Sequence, residues 1–267
     1  MAFLISYYMK YLTFFNNTAH VYVIESENFI KPETECLENI IAVLSEEEKD
    51  RFYRFKNEKA QFTFLTARVY LRFLLSEKIT GNMNYIPKSP QCFAFQPPQS
   101  LRDSSPTIRW GASSPRNGRK LNLKIETTSA GKPYLKDYPN LFFNLSHTDN
   151  LILIAIANSP VGVDVEKNER NADKEAIIKH FFSEREQQSF FSQPDELRQL
   201  AFVKGWTRKE AILKATGEGL SAMKNYEVSF EPETDNQLIN TMSDNKFQVK
   251  DFIPSDGYAA CIAVLNN

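Results

Sequence analysis

The chain is short of net charge, of cysteine and of histidine, and each shortage removes a class of protein. Its 267 residues carry 32 Lys+Arg against 33 Asp+Glu, a formal net charge of -1. No global field therefore draws it to nucleic acid or to an anionic membrane, and any anion site must be local. The 3 cysteines, Cys36, Cys92 and Cys261, are odd in number, far apart and without a C-x-x-C pair. That argues against a disulfide framework and against structural zinc, and it fits a reducing cytoplasm. The 3 histidines, His20, His147 and His180, form no H-E-x-x-H or Cys/His spacing. G-x-S-x-G, the P-loop and G-x-G-x-x-G are missing too, which removes the commonest hydrolase, nucleotide-triphosphatase and dinucleotide readings. The opening run Ala2 to Phe15 is apolar and aromatic, but Lys10 interrupts it and it is shorter than the roughly 20 residues of a membrane span. It lacks a small-residue cleavage site and is read as an extra, disordered leader ahead of a first strand at His20–Ile24.

What is present is enough for a sizeable core: 42% of residues are hydrophobic and 24% charged, which suits one large domain or two small ones. Ser45 before Glu46, Glu47 and Glu48 is a capped, dipole-matched helix start, and charged helical sequence continues to about Thr80. Between Ile86 and Lys120 the composition turns to Pro, Ser, Gly and Arg without periodicity, and about 86–120 is read as a flexible insertion. Its Arg102, Arg109, Arg116, Arg119 and Lys120 suit either a solvated loop or contact with a phosphate or acidic partner. Strands are predicted at Leu121–Ile125, Leu141–Leu145, Leu151–Ala157 and Val161–Glu166, the last three as a meander with Ser146–Asn150 as a loop. Gly131-Lys132-Pro133 marks a turn. Helices are predicted at about 173–180, 183–191 and 195–216, the last stopped by Gly217, and strands at 226–230, 246–251 and 258–264. The mixture is α+β.

Three groups of residues suit chemistry. In Val161-Gly162-Val163-Asp164-Val165-Glu166 the valines alternate with Gly162 and two carboxylates, so one face of a strand is apolar and the other presents Asp164 and Glu166 about 7 Å apart. Such a pair suits a shared cation, and Gly162 leaves room for a ligand or a close backbone; alone, the pattern equally describes a solvated strand face. In the long helix, four-residue spacing puts Trp206, Glu210 and Lys214 on one stripe. The acid and base form either a surface ion pair or, with Trp206 drawing the stripe inward, a site in which the acid needs a partner. Ser146 and His147 suit a phosphate, although a lone histidine is commonly a hydrogen-bonded structural residue.

In order, Gly131-Lys132-Pro133, Phe143-Asn144-Leu145-Ser146-His147, Gly162-Val163-Asp164-Val165-Glu166, Phe182-Ser183 with Glu186, and Trp206 through Gly219-Leu220 resemble the Sfp-type 4′-phosphopantetheinyl transferases. A G-x-D-x-E strand followed about forty residues later by W-x-x-K-E-A-x-x-K-A-x-G-x-G-L is the specific part. The resemblance covers roughly 120–222 and more weakly 45–75. It implies a monomeric, cytoplasmic enzyme of two pseudo-twofold α/β halves, 1–159 and 160–267, without nucleic-acid or membrane partners. It implies transfer of phosphopantetheine from coenzyme A to a serine of an apo acyl or peptidyl carrier protein in fatty acid, polyketide or nonribosomal peptide synthesis, a holo-[acyl-carrier-protein] synthase activity. By the same resemblance Asp164, Glu166 and Glu210 hold Mg2+ and Glu210 and Lys214 are catalytic. Lys132 and Pro133 line the adenine pocket, Ser146 and His147 hold the 3′-phosphate, Lys214 contacts the coenzyme, and Glu186 supports the metal site. The chain departs from the family in its leader, in its insertion, and at Phe62, where a basic phosphate contact is expected and Arg68 or Lys59 would substitute. A noncatalytic coenzyme-binding protein and a magnesium-dependent diphosphate hydrolase are the alternatives.

Overall fold

Aromatic and β-branched residues joined by asparagines make the first hairpin. In the computed structural model, strands β1 (Tyr8–Phe14) and β2 (Ala19–Glu25) are joined by Phe15, Asn16 and Asn17, with φ of 51, 54 and 65°. Asparagine tolerates the left-handed region, and the Thr18 hydroxyl donates to the Phe15 carbonyl at 2.7 Å. The segment read as a disordered leader is therefore a strand from Tyr8 onward, with Met9 only 2% exposed. The structure describes residues 8–25, 34–81, 123–169, 173–230, 236–239 and 246–266; the insertion at 86–120 lies outside them.

The remaining elements are α1 (Thr34–Ile41), α2 (Glu46–Arg54), α3 (Glu58–Thr80), β3 (Ile125–Thr127), β4 (Pro133–Leu135), β5 (Phe142–Thr148), β6 (Leu151–Ala157) and β7 (Val161–Lys167). They are followed by α4 (Lys174–Phe181), α5 (Glu184–Phe191), α6 (Asp195–Thr216), a 3-10 helix (Leu220–Asn225), β8 (Asn236–Ile239), β9 (Lys246–Phe252) and β10 (Tyr258–Leu265). Two four-stranded sheets, ordered β1-β2-β6-β5 and β7-β10-β9-β8, and the β3-β4 hairpin complete an α+β fold. β7 does not continue the predicted meander. After Asn158-Ser159-Pro160 the chain changes sheets, and the Pro160 carbonyl accepts from the Leu265 N–H at 2.9 Å, starting the β7–β10 ladder. Of the strand predicted at 121–125, residues 121 and 122 lie outside the described residues and β3 takes in Ile125 onward; Gly131, at φ 85°, closes the β3-β4 turn.

The chain divides into two compact units. In the first, Ser45 and Glu48 form a reciprocal capping box at the start of α2, and Asn57 caps α3. The charged helical stretch is thus two helices, broken at Phe55. Ile40, Leu44, Phe52, Phe62, Phe64 and Leu65 make its core, so Phe62 is a packing residue at 2% exposure. Glu48 also accepts from Arg72 at 2.6 Å and pairs with Arg68 at 3.4 Å, while Lys59 is exposed.

The second unit takes in Leu12–Val23, Lys124–Asp149 and the chain from Leu153 onward. Here α6 lies on the β7-β10-β9 sheet. Register places Asp164, Cys261 and Asp251 opposite one another across β7, β10 and β9, hence in one row on one face. A Cβ on Gly162 would stand 1.9 Å from the Ala211 carbonyl oxygen and 2.5 Å from the Ala215 nitrogen, so the space left by Gly162 is filled by the backbone of α6. Gly205 similarly makes room for the Phe230 ring. Val161, Val163 and Val165 on the other face of β7 are buried as well; the carboxylate face is covered at Gly162 and Asp164 and half-buried at Glu166.

Candidate active site

Three elements bring the polar centre together. β5 runs on to Thr148, so Ser146 and His147 are strand residues and not loop residues, and the turn lies at Asp149 (φ 47°) and Asn150. Neighbouring strand residues face opposite ways. Ser146 is accordingly buried at 6% exposure and His147 is exposed. The Ser146 hydroxyl donates to Oδ1 of Asp164 on β7 at 2.9 Å, and Nζ of Lys214 in the last turn of α6 lies 2.5 Å from the same Oδ1 and 3.1 Å from the hydroxyl. The structure thus unites Ser146, Asp164 and Lys214, and it separates His147 from Ser146 across the strand.

Asp164 is 4% exposed, and its second oxygen, Oδ2, is buried without a hydrogen-bond partner among the described residues. A buried carboxylate oxygen left unsatisfied costs about 1–3 kcal/mol, more when charged, so this atom calls for a cation or donor. Glu166 is half-buried two residues along β7, and Glu210 is half-buried on α6. Among the described residues no three His, Cys, Asp or Glu side chains are gathered as a metal site. The chemistry of Asp164 Oδ2 with two further carboxylates nonetheless fits a hard divalent cation, which takes oxygen ligands.

Glu210 and Lys214 line a cavity of about 410 Å3 with Lys132, Pro133, Asn144, Leu213 and the segment Gly217–Leu220. The four-residue stripe is borne out: Trp206, 7% exposed, sits inside against Phe181 and Phe202, and Glu210 and Lys214 open outward. Gly217, at φ 81°, ends α6 and lets the chain turn along the cavity. Lys132 donates to the carbonyls of Val161 and Ala215, pinning the β3-β4 turn to β7 and to the end of α6. Burial pushes its ammonium down to about 8. Lys132 and Pro133 also border a second cavity of about 490 Å3, walled by Tyr138, Phe142, Phe143 and Phe247.

Glu186 holds the far side of α6. Its Oε2 takes the Lys209 ammonium at 2.7 Å and the Ser183 N–H at 2.8 Å, and its Oε1 takes the Val228 N–H at 2.8 Å. Lys209 also donates to the carbonyls of Met223 and Tyr226 at 2.8 and 2.7 Å. Burial pulls the Lys209 ammonium down and Glu186 opposes it. Both oxygens of Glu186 are spent here, on Lys209 of α6 and on the backbone of Ser183 and Val228. The segment predicted as a strand at 226–230 forms none, because these ion-pair contacts take its backbone groups. Asn144 and Glu218 are lining residues that sequence reasoning did not single out.

Residues 160–263, which hold β7, α6 and β10, match the family model of the 4'-phosphopantetheinyl transferase superfamily. The resemblance carried by the motifs is therefore borne out. Among individual relatives, the chain is 36% identical to the 4'-phosphopantetheinyl transferase HetI of Nostoc over 146 residues, 53% of this chain and 60% of that protein. It is 31% identical to the 4'-phosphopantetheinyl transferase Sfp of Bacillus subtilis over 102 residues, 38% of this chain and 45% of Sfp. A putative 4'-phosphopantetheinyl transferase of Synechocystis is 30% identical over 183 residues, 67% of this chain and 59% of the relative. The chain thus spans roughly half the length of the curated relatives it matches.

Proposed function

We propose that this chain transfers the 4′-phosphopantetheine moiety of coenzyme A to a serine of an apo acyl or peptidyl carrier protein, giving holo-carrier and 3′,5′-ADP. The observation that carries the reading is the double engagement of Lys214, which lines the 410 Å3 cavity with Glu210 and holds Asp164 at 2.5 Å. Lys214 and Glu210 thereby offer a cation and a base to a space open to a ligand, with the buried Asp164 carboxylate held behind the cation.

In the reaction the carrier serine oxygen attacks the β-phosphorus of coenzyme A, a new P–O bond forms, and the bond to 3′,5′-ADP breaks. Glu210 takes the serine proton. Lys214 neutralises charge on the departing phosphate, an interaction strongest as that charge develops. Asp164, Glu166 and Glu210 would hold Mg2+, which when bound supplies charge neutralisation at the diphosphate oxygens. Ser146 fixes Asp164 and Lys214 in register, and the Lys132-Pro133 backbone borders the space for the adenine. The holo-[acyl-carrier-protein] synthase activity, a monomeric state, a cytoplasmic setting, the pseudo-twofold halves 1–159 and 160–267 and the choice between fatty acid and secondary-metabolite carriers belong to the same reading. Among the described residues no helix is long and apolar enough to cross a membrane.

The test is intact mass spectrometry of a panel of apo-carrier proteins incubated with this protein, coenzyme A and magnesium. A gain of one phosphopantetheine, lost with chelator, is the expected result. No gain on any carrier would overturn the proposal, and coenzyme cleavage without a carrier would replace it with the hydrolase reading.

A further inference from the structure

Once residues 142–148 form one strand, Asn144 and Ser146 share a face of β5, and both face β7. Ser146 reaches Asp164, whereas Asn144 reaches the backbone: the Val163 N–H donates to its Oδ1 at 2.9 Å. β5 and β7 belong to different sheets, so this bond joins the two. It also orients the carboxamide, because only the oxygen end can accept from an N–H. The Nδ2 end is thereby turned away from β7. Asn144 is 6% exposed, and Nδ2 has no hydrogen-bond partner among the described residues. It borders the cavity that also receives Lys214 and Glu210.

Nδ2 is thus the end of this side chain that reaches the cavity, where a ligand can be its partner. The cavity offers the partner: its charged lining is Lys132 and Lys214 with Glu210 and Glu218, the ammonium groups favour an anionic oxygen, and an amide N–H2 is a donor suited to the same oxygen. We propose that Asn144 is a substrate-binding residue whose Nδ2 donates to a phosphoryl oxygen of a diphosphate in the Lys214 cavity. This rests on the reading that the cavity receives a diphosphate substrate. The bond between Oδ1 and Val163 makes the donor rigid, so little side-chain freedom is lost on binding. It ties the placement of the ligand to the junction between β5 and β7.

The test uses two variants and two ligands. Asn144→Asp keeps the oxygen for Val163 and replaces the donor by an acceptor; Asn144→Ala removes both and reveals the purely structural cost in its unfolding temperature. Calorimetry with inorganic pyrophosphate and magnesium, on wild type and both variants, reads the anion contact without any carrier. Steady-state loading of a carrier reads the KM for coenzyme A. Asn144→Asp is expected to unfold near the wild-type temperature, to bind pyrophosphate about 10- to 100-fold more weakly and to raise the KM by a similar factor, as fits a lost hydrogen bond to a charged group. Wild-type pyrophosphate affinity and KM in Asn144→Asp would overturn the inference while leaving the transferase reading intact, as would wild-type protein that loads carriers but does not bind pyrophosphate. Weakened pyrophosphate binding in a protein that loads no carrier would uphold the Asn144 contact and remove the transferase reading.

Discussion

Lys214 and Asp164 meet at 2.5 Å through one carboxylate oxygen, and the other oxygen of Asp164 is left buried and unpaired among the described residues. The ammonium comes from the end of a helix and the carboxylate from the middle of a strand, so the contact fixes where α6 stops relative to β7. Replacing Lys214 by Ala is expected to lower the rate of carrier loading by about 100- to 1,000-fold, the scale of one lost donor to a developing charge, with a smaller change in coenzyme affinity. Parallel measurement of kcat and of coenzyme Kd checks this; a loss confined to affinity would contradict the role given to Lys214.

Asp164→Ala is expected to abolish transfer and to preserve cooperative unfolding. It removes the unpaired oxygen along with the Lys214 partner, and the Lys214 side chain, 28% exposed, can turn to water. Far-UV circular dichroism together with the mass assay decides the matter; a folded variant with wild-type turnover refutes the assignment.

Gly162→Ala tests the packing of α6. With its new methyl 1.9 Å from a backbone oxygen and 2.5 Å from a backbone nitrogen, the helix must move as a unit. Overpacking of this kind costs about 1–3 kcal/mol or more. The midpoint of urea unfolding should fall by the corresponding amount, and carrier loading should fall with it because Glu210 and Lys214 travel with the helix.

Lys209→Met leaves Glu186, 3% exposed, as a buried charge stripped of its cation. Breaking one partner of such a pair costs about 3–5 kcal/mol, whereas replacing both is far less damaging. The double variant Glu186→Gln, Lys209→Met should therefore recover part of the stability lost in the single one. A double-mutant cycle in urea measures the difference.

Lys132 gives a pH dependence whose sign follows from linkage. Its folded value is about 8 and its ordinary value 10.5, so between these limits the unfolded chain binds more protons and stability rises with pH. The gain is at most ~3 kcal/mol across the whole window. Denaturation of wild type and Lys132→Met at about pH 7.5 and about pH 9.5 should show the wild type gaining on the variant at the higher pH. A difference that stays constant would mean that Lys132 titrates normally.

Local rules carried much of this fold. The capping box at Ser45 and Glu48, the long helix ending at Gly217 and the apolar run of β6 are matters of neighbouring residues, and all stand where the sequence puts them. The resemblance assigned Ser146, Asp164 and Lys214 to one site but in separate roles, and their direct contact was not legible. Other distant partners were not legible either. Residues 226–230 have strand-like composition, but Lys209 and Glu186 take up the Tyr226 carbonyl and the Val228 N–H. β7 follows β6 after a short turn, and nothing local says that it will pair with β10 at the end of the chain. Reading Ser146–Asn150 as a loop hid two consequences of strand alternation: His147 faces away from Ser146, and Asn144 faces with it. The hairpin that begins at Tyr8 was missed although Asn16 and Asn17 announce its turn.

Cys261 stands in the row between Asp164 and Asp251, with no exposed surface, and burial together with those acids pushes its thiol far up. A thiolate is the form that alkylating reagents attack, so this sulfur is silent while α6 lies on the sheet. Arg208, itself fully buried, clasps Asp251 at one end of the row, and Lys214 clasps Asp164 at the other. Any opening wide enough to admit a reagent has to loosen one of those clasps. The alkylation rate of Cys261 is in this way a built-in stopwatch for the lifting of the helix, started by the same event that would take Lys214 away from its carboxylate.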